Sequence, residues 1–328
     1  MPARRIARAS AIALICAAQA FMTVSAPAQT LSSRPMTVVS PFAAGASTDF
    51  ALRVIAQKIG DADGSKVVID NRPGGAGVVA ANAIKTALPD GASLLFANVG
   101  ILAGNVSLIA NLSYDPLEDF APVTLLFSQP SVLAIPASLP AASVSDLIAL
   151  AKSRPKGLSY AGQSVGSSGH LLGAMLAKAT GVPMTLVPYR GAAPAVTDLL
   201  ASRVDLFFTS YATVHRHVEA GTLKILAITT KEREPLLPRT PTVAELGFPQ
   251  LQMDIWYGVA APGRTPPPVV QALHEKFAAA ASSPDVGAQL SAQGMRVVTS
   301  TPAEFKALIA KEVDRYRTIM RELDVKPE

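Results

Sequence analysis

Four stretches of this sequence combine small residues with hydroxyls immediately after an apolar run that reads as a strand. They are Pro41-Phe42-Ala43-Ala44-Gly45-Ala46-Ser47-Thr48-Asp49, Gly162-Gln163-Ser164-Val165-Gly166-Ser167-Ser168-Gly169-His170, Tyr189-Arg190-Gly191-Ala192-Ala193 and Thr209-Ser210-Tyr211-Ala212-Thr213. The chemistry they offer is anion capture. A helix starting there exposes unpaired N–H groups and about half a positive charge, and glycine or alanine lets a ligand approach the backbone. Hydrogen bonds to a charged partner contribute roughly 1.5–3 kcal/mol each. Several such donors on one or two carboxylates reach micromolar affinity, about −8 kcal/mol, after ordering costs. The same residue types also build ordinary strand-to-helix turns, and composition alone does not separate the two.

Other chemistry is harder to assemble. Gly162-Gln163-Ser164-Val165-Gly166 fits the G-x-S-x-G nucleophile elbow and follows a strand, which makes a serine hydrolase using Ser164 the enzymatic alternative. An elbow enters its helix at once, however, whereas Gly166-Ser167-Ser168-Gly169 prolongs the loop, and His170 stands too near Ser164 to serve as its base. His215 and His217 are two apart in a helical segment and do not share a face, and His274 falls in a helical run, 269–277, expected to be solvated. No group of histidines and carboxylates has metal-ligand spacing, so no metal, cofactor or catalytic residue is expected. Asn71-Arg72-Pro73-Gly74-Gly75-Ala76-Gly77 lacks both the Walker end and the G-x-G-x-x-G spacing, and reads as a structural turn. Tyr114-Asp115-Pro116-Leu117-Glu118-Asp119-Phe120 reads as an exposed loop, and Trp256 either lines a cleft or caps a core.

The elements that must position these loops alternate along the chain. Short apolar runs at 36–40, 66–70, 93–97, 123–127, 132–135, 158–161, 185–188, 205–208, 224–229, 257–260 and 296–298 read as strands covered on both faces. Between them lie helical patterns. Residues 47–59 place Ala51, Leu52, Ile55 and Ile59 on one side; Ser143 with Asp146, and Thr301-Pro302-Ala303-Glu304, are capping boxes. Such alternation predicts an α/β fold with largely parallel sheets, whose ligands sit beyond the carboxyl ends of the strands. The length exceeds what one core usually serves, so two lobes are expected: 29–130 plus 254–328, and 131–253. A chain that crosses twice between lobes makes a hinge and a cleft.

Composition narrows the class. With 49% apolar and 16% charged residues among 328, the chain is not disordered. Residues 1–28 read as a secretory signal: Arg4, Arg5 and Arg8 precede an apolar run, and Ala26-Pro27-Ala28 offers cleavage after Ala28. Export by the general or the twin-arginine route stays open. Removing the segment takes the one cysteine, Cys16, and lowers the net charge of +5 by three. The remaining chain needs no disulfide, and without a basic cluster interleaved with aromatics a nucleic-acid partner is excluded.

Seven motifs in register resemble one family, the Bug proteins, which are extracytoplasmic solute receptors of tripartite tricarboxylate transporters. They are Pro41-Phe42 through Thr48-Asp49; Asp70-Asn71-Arg72-Pro73-Gly74; Pro89-Asp90-Gly91; Tyr114-Asp115-Pro116 through Val123; Val187-Pro188-Tyr189-Arg190-Gly191 through Leu200; Pro241 through Glu245; and Ala261-Pro262-Gly263. The resemblance implies a two-lobed, type II-like periplasmic binding protein that closes on a small carboxylate, feeds membrane subunits and works as a monomer. Its residues for the ligand would be Phe42, Ala43, Gly45, Ser47, Thr48 and Asp49 in lobe one, with Gly100. In lobe two they would be Ser164, Ser167, Ser168, His170, Tyr189, Arg190, Gly191, Ala192 and Thr209. Ala43, Val99 and Ile101 would shape the pocket. Two departures stand out. Ala46 replaces a common second glycine and would be strained if its φ were positive. Thr209 stands where an aspartate is frequent, which disfavours an amino acid as ligand. A ligand sensor of the same fold, uncoupled from uptake, is the alternative among receptors.

Overall fold

Two twisted sheets are threaded by one chain, in a computed structural model that describes residues 35–163 and 167–327. The proposed signal and Ser164 lie outside the described residues, all of which belong to one compact unit. The first lobe starts with β1 (Met36–Ser40), α1 (Ser47–Asp63), β2 (Val67–Asn71), α2 (Val78–Lys85), β3 (Ser93–Asn98), α3 (Asn105–Leu108) and β4 (Phe120–Gln129). The chain then crosses at Pro130 into β5 (Ser131–Pro136), α4 (Val144–Ser153), β6 (Leu158–Gly162), α5 (Ser168–Thr180), β7 (Met184–Pro188), α6 (Ala192–Leu200), β8 (Leu206–Ser210), α7 (Tyr211–Glu219) and β9 (Leu223–Ile228). It returns as β10 (Ile255–Pro262), α8 (Pro267–Ala281), α9 (Pro284–Ser291), β11 (Arg296–Val297) and α10 (Pro302–Glu322). Strand order is β11-β4-β10-β3-β1-β2 in one sheet and β7-β6-β8-β5-β9 in the other.

The alternation of strands and helices predicts largely parallel sheets, and here the structure differs: both are mixed. β1 pairs in parallel with β2 and β3, and β6 with β7 and β8, but β10 runs antiparallel to β3 and β4, and β5 antiparallel to β8 and β9. The reason is the double crossing. β1, β3, β4, β6, β8 and β9 all end at the junction of the lobes, so a strand arriving from the other lobe starts where its neighbours stop. The crossings are tied together by backbone: Thr229 N–H donates to the Ser131 carbonyl at 2.9 Å, and Met253 N–H to the Thr229 carbonyl at 2.9 Å.

Three apolar clusters hold the layers. One lies between the first sheet and α1, α8 and α9, with Leu52, Ile55, Phe96, Phe127 and Phe277 at its centre. Another backs the second sheet with Ala195, Leu199, Phe207 and Val214. The largest runs through both lobes, joining Leu133, Tyr160 and Leu171 to Leu102, Phe305 and Tyr316. Trp256 belongs to it, buried and edge-on to Phe305 at 5.4 Å, so it caps the core. Both boxed helices begin as their sequences predict: Ser143 accepts from Asp146 N–H, and Thr301 with Glu304 closes a complete capping box.

The loop after β1 is fixed from within. Gly45 takes the positive φ of 80°, so Ala46 stays extended at φ −66° and ψ 158° without strain. Asp49, in the first turn of α1, reaches back: its Oδ2 accepts from Gly45 N–H and Arg53 Nε, both at 2.9 Å, and its Oδ1 from Asn71 Nδ2 at 2.9 Å. Asn71 also donates to the Phe42 carbonyl at 2.9 Å, which ties the ends of β1 and β2 together. Burial raises the Asp49 pKa, but the bonds from Arg53, Gly45 and Asn71 outweigh it and hold the carboxyl below its ordinary 3.8.

The loop after β2 carries real strain. Ala76 sits in the left-handed region at φ 51° and ψ 31°, a conformation that costs an L-residue roughly 1–2 kcal/mol. The Asn105 side chain donates to its carbonyl at 3.0 Å and holds it there. Next to it, Gly77 has φ +87°, and a Cβ would lie 2.6 Å from Ile101 Cδ1. Only glycine lets Ile101 pack so close.

Two outcomes follow from these loops. Gly77→Ala should lower unfolding free energy by about 2–4 kcal/mol, from left-handed strain plus the overlap with Ile101; urea denaturation checks it, and a cost under about 0.5 kcal/mol would contradict the packing. Asp49→Ala should cost about 1–3 kcal/mol at pH 7 by removing the charged acceptor of three hydrogen bonds that hold this loop. Because the folded pKa is depressed, the wild-type advantage is complete above the ordinary value of 3.8 and fades as pH falls through the lower folded one. The two stabilities should therefore converge in acid, and a gap that stays constant there would exclude the ionised carboxylate as its cause.

Candidate functional site

The strand ends of the two lobes face each other across a cleft of about 470 Å³. This falls in the range of small-ligand sites, roughly 300–1,000 Å³. Lobe one supplies most of the wall. Pro41 and Phe42 follow β1; Gly74, Ala76 and Gly77 follow β2; Asn98 ends β3, and Val99, Gly100, Ile101 and Asn105 follow it, with Leu108 and Ile109 beyond. Ile255 at the start of β10 and Tyr316 from α10 close this side, and Gln163, Ser167 and Ser168 face them from lobe two. None of these lining residues, all described, is charged.

Several wall residues are held from behind. Phe42 sits edge-on to Phe96 and Tyr257, both at 5.6 Å between ring centres, so it is an outgrowth of the lobe-one core. After β3 the chain turns directly into a helix whose middle, Gly100–Gly104, widens into a π segment; such segments recur at functional sites. Asn98 Oδ1 accepts from Ile101 N–H at 3.2 Å, capping this turn. Gly104 lets the turn approach Tyr316, where a Cβ would lie 3.0 Å from the ring. Opposite, Ser167 caps α5 by accepting from His170 N–H at 3.3 Å. Gln163 is braced twice: its Nε2 donates to Thr209 Oγ1 at 3.2 Å, and its carbonyl accepts from Gly191 N–H at 3.1 Å.

With no charged side chain, the cleft can hold an anion only through peptide N–H groups, hydroxyls and amides. Two helical starts point into it from opposite lobes, the turn after Asn98 and the first turn of α5. The partial positive charge of each helix start then supplies what a cation would elsewhere. Anion binding there costs no separation of a buried ion pair.

Of the residues expected at the site, Phe42, Gly100, Ser167 and Ser168 line the cleft, as do Val99 and Ile101. The others stand outside that lining, each for a visible reason. Ala43 and Gly45 are exposed at the rim, Ser47 is half-buried, and Thr48 and Asp49 are buried in α1, Asp49 as the brace already described. His170 is buried behind Ser167. Thr209 is buried behind Gln163. Tyr189 turns its hydroxyl to Asp198 at 2.9 Å, and burial together with that carboxylate pushes its phenol up to about 12. Arg190 is exposed, and Gly191 and Ala192 begin α6 beyond Gln163. His274, expected in solvent, is half-buried with Nδ1 enclosed.

Sequence reasoning passed over Asn98, Asn105, Gln163, Tyr316 and the loop at Gly74–Gly77 as ligand-facing groups. The glycine-rich turn is visible in the sequence, and a third glycine-framed junction beside a strand end was the available signal. Asn98 and Asn105 carry none, because asparagine in a turn is ordinary. Tyr316 has the helical spacing of a core residue, and it is also that.

Residues 51–325 match the family described as "Tripartite tricarboxylate transporter family receptor". Protein BugT of Bordetella pertussis is 35% identical over 306 residues, covering 92% of this chain and 94% of that one. Among solved structures, Rpa4515 of R. palustris, determined with adipate, superposes with a TM-score of 0.82 at 34% identity, covering 90% of this chain and 99% of the other. MatC (Rpa3494) from Rhodopseudomonas palustris, with bound malate, gives 0.76 at 30% identity, covering 88% and 99%. A two-lobed α/β protein whose strand ends enclose an uncharged cleft, and whose sequence and fold match these receptors over nearly their full length, is a member of the Bug (TctC-like) family of tripartite tricarboxylate transporter receptors.

Proposed function

We propose that this chain captures a small mono- or dicarboxylate in the periplasm, closes its lobes over it and presents it to membrane subunits of a tripartite tricarboxylate-type transporter. No bond is made or broken in that cycle. The carrying observation is the cleft itself: opposed helix starts and hydroxyls without a single charged wall residue. Its relatives solved with adipate and with malate are consistent with that chemistry. Among the described residues no helix is long and apolar enough to cross a membrane, so delivery needs a partner that does.

Closure would bring 131–253 toward 29–130 plus 254–328. Lobe one holds most of the open wall, so the ligand enters there and Gln163, Ser167 and Ser168 complete the grip on closing. Exposed Ala43 and Gly45, and half-buried Ser47, Tyr189, Gly191 and Ala192, gain reach in the same motion. The ligand shifts the open–closed balance only by its extra contacts in the closed form. Lobe-two contacts are those extra contacts.

A thermal-shift panel of dicarboxylates, hydroxy acids and aromatic acids tests this. At ligand a hundredfold above Kd, binding adds about 2.7 kcal/mol to unfolding free energy, so at least one acid should raise the midpoint by several degrees. That acid should also reduce the radius of gyration in small-angle scattering. Ser168→Ala should weaken binding by about tenfold, the worth of one hydrogen bond. A flat response to the whole panel would contradict the proposal.

A further inference from the structure

We infer that the ligand's far end carries a neutral hydrogen-bond donor, a hydroxyl or a carboxamide, received by the Oδ1 atom of Asn105. This rests on the carboxylate reading of the cleft and specifies the kind of acid. The orientation of the Asn105 amide follows from its partners. The Tyr114 hydroxyl donates to the Ile101 carbonyl at 2.7 Å, and burial holds that phenol far above its ordinary pKa, so the proton stays there. Its oxygen can then only accept, and Asn105 lies 2.9 Å away. The second nearby acceptor is the Ala76 carbonyl at 3.0 Å. Both neighbours demand a donor, so Nδ2 faces them and both its hydrogens are used.

What is left is Oδ1. It has no hydrogen-bond partner among the described residues, and it is not enclosed by them. Asn105 is only 4% exposed and lines the cleft, so its remaining acceptor opens into that space. A fixed carbonyl oxygen there repels a carboxylate oxygen. An ammonium would find no carboxylate on the cleft wall to balance it. A hydroxyl or amide N–H meets the acceptor without either cost, while Ile101, Leu108 and Ile109 suit the methylenes between the two ends. Burying Oδ1 against a ligand without a donor leaves it unpaired, the situation in which sites built for a polar group discriminate most strongly.

The experiment is a calorimetric titration of the wild-type protein with matched acids of four and six carbons. Each set holds the ω-hydroxy acid, the monoamide of the dicarboxylate, the unsubstituted acid, the dicarboxylate and the ω-amino acid. In at least one set the hydroxy acid or the monoamide should bind about tenfold or more tighter than the other three. In Asn105→Leu that preference should fall to about unity. Should the variant fail to fold, the wild-type ratios decide alone. If acids bind but in neither set does the hydroxy acid or the monoamide outbind the unsubstituted acid, the dicarboxylate and the ω-amino acid, this inference is overturned and the receptor reading stands. A preference that survives in the folded variant has the same consequence. Binding by none of the acids at either length overturns both.

Discussion

In the proposed function an anion has to be taken out of water by groups that carry no full charge. That constraint explains most of the molecule around the cleft. Peptide N–H groups are weak one at a time and act together only if the backbone bearing them is held still before the ligand arrives. Loops therefore have to be as rigid as strands. Asp49 accepts three hydrogen bonds, from Gly45 in the loop after β1, from Arg53 and from Asn71, and Asn71 fastens that loop to the next strand. Asn98 caps the turn after β3, Ser167 caps α5, and Gln163 is pinned on both its side chain and its backbone. The polar side chains near the cleft spend their bonds mostly on the protein.

The left-handed Ala76 belongs to the same economy. An L-residue in that region is unfavourable, and it persists because Asn105 holds its carbonyl while Gly77 makes room for Ile101. One asparagine thus connects the loop after β2, the π segment after β3 and the phenol of Tyr114. Backbone strain and cavity shape meet at a single side chain. The apolar cluster that runs through both lobes by way of Trp256, Phe305 and Tyr316 gives the floor of the cleft its firmness.

Much of this was legible in the sequence where the cause is local. All eleven apolar runs form strands, Met36–Ser40 residue for residue, because short β-rich runs between turn formers have few alternatives. Ser143 and Thr301 start their helices because a cap acts within four residues. Strand direction was not legible: it depends on which lobe a strand comes from, and nothing within β5 or β10 encodes that. The site divides in the same way. Phe42, Gly100, Ser167 and Ser168 follow from loop position after a strand, whereas Asn105 and Tyr316 reach the cleft through contacts far along the chain. Asp49 and Thr209 look alike in sequence to ligand-binding groups but support the wall from behind.

The central claim is that backbone amides of both lobes, not a basic side chain, hold the carboxylate. Amide proton shifts in a ¹H–¹⁵N titration with the tightest acid test it most directly. The account predicts downfield movement of the Val99 and Gly100 amides in one lobe and of Ser168 and Gly169 in the other, saturating together, with the Arg190 guanidinium signal unmoved. Shifts confined to one lobe, or centred on an arginine side chain, would contradict it.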